Sequence, residues 1–258
     1  MKQSAEGRLN AVETELGPAG RDLLIVGDVL EGWLSECPAG PIELEGEQAT
    51  VAVKALAGGW SSSLVRALAT RPSTLTELSE QIPEISYPAL ERRIGWMRTT
   101  GQIDALPKQP RGVPYAPTRW LRRAITPLAV AMRCERRHME NSPPITDVEA
   151  ESAFLLALEV APLPEDRHGA CTLAMQTDAT EFDEGQPLAG VNIELKVDGS
   201  KSWSVGLVAQ PQTWAVGTVE DWLNAMLDGR FEILRIGGAD PQFAADAISA
   251  MRSAVFID

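Results

Sequence analysis

The sequence predicts an α+β chain built in two parts, and three observations carry the prediction. Apolar residues recur at three- and four-residue steps from about Gly17 to Met139, then change to alternation beyond residue 150. Charge is divided along the chain: residues 1–48 hold three Lys/Arg and ten Asp/Glu, residues 49–140 hold fourteen and seven, and residues 141–258 hold six and nineteen. Between the last two, Asn141-Ser142-Pro143-Pro144-Ile145-Thr146-Asp147-Val148-Glu149-Ala150 has the composition of a linker.

The 258 residues suffice for about two domains, each with its own core. An apolar fraction of 44% and a charged fraction of 23% belong to a water-soluble protein, and no apolar run approaches the ~20 residues of a membrane span. The N-terminus lacks the apolar core of a signal peptide, so the expected compartment is the cytoplasm and no membrane partner is expected. Cys37, Cys134 and Cys171 are odd in number and far apart, which fits reduced thiols. With His138 and His168 they form no metal-ligand spacing, and no cofactor is expected. His168 and Cys171 stand three apart without a third partner, so no catalytic set can be assembled and an enzyme is not expected.

The elements follow in order. Gly17 to Glu36 reads as a helix with Leu23, Val26, Leu30 and Trp33 or Leu34 on one face, Pro18 in its first turn, and Cys37-Pro38-Ala39-Gly40-Pro41 as its stop. A helix over residues 49–70 carries Val53, Leu56, Trp60, Leu64 and Leu68, and Arg71-Pro72 ends it. Thr74 can cap a short helix from Leu75 to Ile82. Ser86 can cap another running to Thr100, with Leu90, Ile94 and Met97 inward and Gly101 at its end. Ile103–Leu106 and Val113–Tyr115 can pair across a loop carrying Lys108 and Arg111, and a last helix spans Thr118 to Met139. Helix, helix-turn-helix, two-stranded wing and helix is an order of elements that reads DNA.

Beyond the linker, strands are expected at Phe154–Val160, Cys171–Thr177, Val191–Val197, Trp203–Ala209 and Phe231–Ile236. Asp198-Gly199-Ser200-Lys201 reads as a hairpin turn. Helices are expected at Val219–Leu227, capped by Thr218, and at Pro241–Val255. The predicted fold class is thus α+β: a winged helix-turn-helix domain followed by an α+β sheet domain with helices on one face.

The middle segment resembles the HxlR-type winged helix-turn-helix regulators over about 90 positions. Gly59-Trp60, Leu64 and Arg66-Ala67-Leu68 look like the family's first core helix; Leu75, Glu77-Leu78 and Ile82 like its second. Ile85-Ser86, Leu90, Arg93, Ile94, Met97 and Gly101-Gln102-Ile103 follow its recognition helix and exit, and Val113-Pro114-Tyr115 its returning wing strand. The family's cysteine ahead of the first core helix is absent here, and Ala116-Pro117-Thr118-Arg119 stands where the family has a Leu-Thr-Pro-x-Gly-Arg run. A run of that kind appears at Leu16 to Leu24, so residues 16–37 read either as the remnant of a first winged helix or as an ordinary amphipathic helix. The resemblance implies double-stranded DNA as partner and a homodimer, an arrangement the altered N-terminus leaves open. The last segment looks like a divergent sterol-carrier-type domain, on Trp214-Ala215-Val216-Gly217, the Thr218–Gly229 helix, the Ile233–Gly238 strand and the helix opened by Asp240-Pro241.

The sequence therefore divides into an N-terminal helix (1–48), a winged helix-turn-helix domain (49–140), a linker (141–150) and a sterol-carrier-like ligand-binding domain (151–258). Candidate DNA contacts are Ser86, Tyr87, Arg92, Arg93, Arg98, Lys108 and Arg111, because arginine pairs with guanine edges and neutralises phosphate. Arg133, Arg136 and Arg137 read instead as balancing the acidic segments. Trp203, Trp214, Trp222, Phe231 and Phe243 are the candidate lining of a site for an apolar small molecule, with core packing as the alternative for each. The expected function is a DNA-binding transcriptional regulator responsive to such a molecule. The alternative is a lipid- or small-molecule-sequestering protein whose winged helix mediates protein contacts.

Overall fold

The protein is described here by a computed structural model, which covers residues 2–57, 61–140, 144–163, 167–176 and 185–256, with backbone alone for 2–16 and for Ala57. The first helix, α1 (Lys2–Ser35), extends upstream of the expected start and bends at Gly17, whose φ of +67° suits a residue without Cβ. Pro18 follows the bend, at a position where a missing N–H is harmless.

The helix expected over 49–70 is two helices, α2 (Glu47–Ala57) and α3 (Ser61–Thr70). Gly58 and Gly59 lie between them, and each costs about 1 kcal/mol in a helix interior, which the apolar period concealed. Trp60, assigned to the apolar face of that helix, lies outside the described residues. A short strand that periodicity did not show, β1 (Ser73–Thr74), leads into α4 (Leu75–Gln81). There Thr74 Oγ1 and the Glu77 carboxylate satisfy each other's backbone N–H groups in a capping box. Next comes α5 (Tyr87–Thr99), with Leu90, Ile94 and Met97 buried as their spacing predicts. Ser86 stands at its N-cap in extended backbone, but its side chain makes no capping bond.

Strands β2 (Ile103–Ala105) and β3 (Pro114–Pro117) pair antiparallel as expected, and β1 joins the other edge of β3. The helix expected from Thr118 to Met139 divides at Ala124 into α6 (Arg119–Arg123) and α7 (Ile125–His138). Pro127 explains the division: it has no N–H for the Arg123 carbonyl and its ring crowds that group.

Phe154–Val160, expected as a strand, belongs to α8 (Asp147–Val160), which also takes in the last four residues of the expected linker. Phe154 to Leu158 are all buried, so the run carries no period, while the Thr146/Glu149 capping box is the signal that marks a helix. Five strands follow: β4 (Gly169–Met175), β5 (Leu188–Leu195), β6 (Lys201–Val208), β7 (Thr213–Gly217) and β8 (Arg235–Gly238). They form one sheet in the order β6-β5-β4-β7-β8, with β4 and β7 parallel and the other pairs antiparallel. Strand β7 was not expected, because its five residues are all buried and show no alternation. Phe231–Ile233, expected as the start of a strand, forms a single 3-10 turn ahead of β8. Helices α9 (Val219–Asp228) and α10 (Pro241–Val255) match their expected positions, Thr218 capping the first and Gly229 ending it at φ +76°.

Leu173, Val191, Ile193 and Ala215 of this sheet share one core with buried residues of α8, α9 and α10, whereas Ala174, Leu188, Trp214 and Val216 form a separate small cluster. The main core also runs without interruption into α1 and α3 to α7, with α8 packed against both α3 and α10. Polar contacts cross the same boundary: Ser152 Oγ donates to the Ser62 carbonyl at 2.7 Å, and Trp203 Nε1 to that of Ala69 at 2.9 Å. Close strand pairing leaves no room for a side chain at Gly190, where a Cβ would stand 2.2 Å from the Leu173 carbonyl oxygen. Gly190→Ala should therefore cost about 2–3 kcal/mol, read as a lowered urea midpoint with an unchanged slope.

Candidate nucleic-acid interface

Helix α4 and helix α5 are joined by residues 82–86, and Leu78, Ile82 and Ile85 are buried between them. This packing turns one stripe of α5 inward and leaves Tyr87, Glu91, Arg92, Gly95, Trp96, Arg98 and Thr99 exposed. Two large aromatics in open solvent, Tyr87 at 47% and Trp96 at 53%, mark this as an unusual surface helix. At the far end of α5 the Arg98 guanidinium lies 5.8 Å from the centre of the Tyr115 ring on β3, which ties the helix to the hairpin. The β2–β3 loop closes through paired bonds between Gln109 and Gly112, N to O at 2.8 and 3.0 Å. That turn holds Lys108 and Arg111 exposed at its tip.

The ion pairs separate most cations of the middle segment into two groups, outside which stand Arg71, 3.9 Å from Glu77, and Lys54, exposed on α2 with no side-chain bond among the described residues. Arg66 pairs with Glu151, Arg122 with Glu159, Arg123 with Glu36, and Arg136 with Glu220, all toward the acidic flanks. Arg137 lies 3.6 Å from Asp22 and 3.7 Å from Asp228, and Arg133 stacks over Phe256. The bond from Arg136 holds the Glu220 carboxyl below its usual range and raises the arginine's own pKa. Arg92, Lys108, Arg111 and Arg119 have no hydrogen bond or ion pair among the described residues, and Arg98 has only its ring contact. Three of these five were expected on α5 or the hairpin tip together with Arg98; Arg119 was not, nor was the exposure of Trp96.

Arg93 departs from expectation. Its guanidinium turns inward to the Ser61 hydroxyl and, at 3.0 Å, to the Lys54 carbonyl, and burial lowers its pKa. The spacing carried the signal, since Arg93 stands three residues after Leu90 and four before Met97, at the border of the buried stripe. It anchors α5 to α2 and α3 and is not part of the exposed set.

The five sheet-domain aromatics do not meet in one site. Trp203 bonds to Ala69, Trp214 belongs to the small cluster, Phe231 sits in the 3-10 turn, and Phe243 is buried under Gly169, with its ring 3.5 Å from where a Cβ would stand. Trp222 borders a partly open cavity of about 700 Å³ lined by residues of α3, α7, α8 and α9. Trp222 also meets Phe154 edge-on, with ring centres 4.8 Å apart, and donates to the Ala174 carbonyl at 2.8 Å. Its position there follows from helix packing between distant segments, which no local pattern reveals. As for chemistry, burial pushes the Cys171 thiol up to about 12, so it is no nucleophile at neutral pH. Among the described residues no three His, Cys, Asp or Glu side chains group as metal ligands, and no helix is long and apolar enough to cross a membrane. Comparison of the chain with protein-family models, with curated proteins and with solved structures found no match.

Proposed function

We propose that this chain is a DNA-binding transcriptional regulator that reads a duplex with a winged helix-turn-helix formed by α3, α4, α5 and the β2–β3 hairpin, and that responds to an apolar small molecule. The observation that carries the reading is the division of the cations. Those facing the acidic flanks are paired, and those left to solvent stand on α5, on the hairpin tip and at the start of α6, with Lys54 of α2 besides. A helix of thirteen residues presenting Arg92 and Arg98 suits a major groove, and a basic hairpin tip suits the neighbouring phosphates. Strong net negative charge elsewhere keeps the remaining surface off the duplex, which orients the encounter. The cavity of about 700 Å³ lined by α3, α7, α8 and α9 supports a small-molecule response.

Fluorescence anisotropy of a labelled duplex from the chain's own upstream region tests the reading. Binding should weaken steeply with added salt, in proportion to the phosphates neutralised, and should prefer that duplex to a scrambled one. No binding at 50 mM salt, or binding indifferent to salt, overturns it.

Gly95 gives a second readout. A methyl group placed there meets nothing within 4 Å, so Gly95→Ala should stabilise the fold by up to about 1 kcal/mol, seen as a higher melting temperature. The same methyl stands on the face offered to the groove, and duplex affinity should fall. A variant that melts higher and binds equally well would remove α5 from the interface.

A further inference from the structure

We propose that the cavity between α3, α7, α8 and α9 binds an apolar cation, an alkyl or aryl body ending in an ammonium group that Glu135 holds. The proposal deepens the small-molecule reading above and rests on it. A volume of about 700 Å³ lies within the range that takes drug-sized molecules. Its walls are apolar, and Leu128, Met132, Ala153 and Leu223 are only partly buried by the protein itself, so an apolar body there removes further surface from water.

The charge on the rim selects the head group. Glu135, Arg136, Glu149 and Glu220 line the cavity, three carboxylates against one guanidinium. Arg136 is occupied: it donates to both Glu220 oxygens at 2.9 and 2.7 Å and to Asn224 Oδ1 at 3.2 Å. Glu149 Oε2 accepts from the Thr146 N–H and hydroxyl in the α8 capping box. The Glu135 carboxylate has no hydrogen-bond or ion-pair partner among the described residues. An anionic head would thus meet a cation already satisfied and two uncompensated negative charges, whereas an ammonium group finds a carboxylate ready to accept from it.

Calorimetric titration of the full chain, without DNA, with decylammonium, decanoate and decanol at neutral pH and submicellar concentration separates head group from body. Decylammonium should bind one to one and about tenfold or more tighter than the other two. Glu135→Gln should bring it level with decanol, and Glu135→Lys should reverse the order in favour of decanoate. Ala153→Phe, which fills the cavity from α8, should abolish binding of all three; Leu223→Trp does the same from α9 should the first variant fail to fold. Equal binding of the three probes, an order unchanged by both Glu135 substitutions, or full binding by a folded cavity-filled variant overturns the proposal. These titrations contain no duplex, so a chain that binds the amine and not DNA sinks only the regulator reading, and one that binds DNA and not the amine sinks only this one.

Discussion

Alanine at Arg92, Lys108 and Arg111 together is expected to weaken duplex binding by about 10²–10³-fold at 0.1 M salt while leaving the melting temperature within a degree or two. The three side chains have no intramolecular bonds among the described residues, so their removal costs the fold little. If the chain reads a duplex as proposed, each would form a charge-assisted contact worth about 1–1.5 kcal/mol, and every lost phosphate contact would also lower the slope of log affinity against log salt by about one. Lys108 and Arg111 should reduce affinity for all duplexes alike, since a hairpin tip meets the backbone. Arg92, on the reading helix, should also relax the preference for particular base pairs. Arg93→Ala is the contrasting variant. It removes the guanidinium bonds to the Lys54 carbonyl and the Ser61 hydroxyl, so it should destabilise the chain and leave the salt slope intact. Arg137→Ala, whose partners are Asp22 and Asp228, should alter neither slope nor preference. Equal losses from all of these variants would mean that net charge alone drives the binding, and α5 and the hairpin would lose their special place.

The contrast between Arg92 and Arg93 shows where sequence reading succeeds here. Helices α4, α9 and α10 were legible because their caps are local: Thr74 with Glu77, Thr218 with Asp221, Asp240 with Pro241 each fix a start within four residues. The hairpin was legible through its Pro/Gly-rich loop, and the inward face of α5 through Leu90, Ile94 and Met97. Elements buried on all sides were not. Strand β7 and the buried run Phe154–Leu158 of α8 have no polar side to set a period, and only the Thr146/Glu149 capping box upstream distinguishes the second as a helix. Apolar periodicity also ran across Gly58-Gly59, residue types whose cost in a helix an apolar pattern does not register. The cavity was illegible for a different reason. It is bounded by residues from Leu56 to Val255 whose adjacency exists only after α8 packs on α3, whereas the aromatics nominated from sequence are mostly tied to single neighbours such as Ala69 or Gly169.

Trp120→Ala is expected to destabilise the chain by about 4–6 kcal/mol, the largest stability effect of any exchange considered. Trp33 of α1 and Trp120 of α6 stack with ring centres 4.2 Å apart and planes 3° from parallel. Each indole donates to the other residue's carbonyl, at 2.8 and 2.6 Å, and both side chains are 4% exposed. Deleting one ring opens a cavity worth about 3–5 kcal/mol and takes the indole donor from the Trp33 carbonyl, which keeps only the Glu36 N–H at 3.2 Å, a loss of about 1 kcal/mol. Trp120→Phe keeps most of the apolar area and should lose only the bond, about 1–2 kcal/mol, so the difference between the two variants measures the packing. The double exchange of both tryptophans to Phe should cost less than the sum of the singles, because the pair acts as a unit. The pair also supports the proposed interface. Thr118, the cap of α6, accepts no slack: its N–H and hydroxyl donate to the Gln102 and Gly101 carbonyls at 2.9 Å, at the exit of α5. Loosening α1 from α6 should therefore weaken duplex binding through a smaller folded fraction, with the salt slope kept and affinity restored on cooling below the melting transition. A lower slope at full folding would instead place Trp33 and Trp120 in direct contact with the nucleic acid.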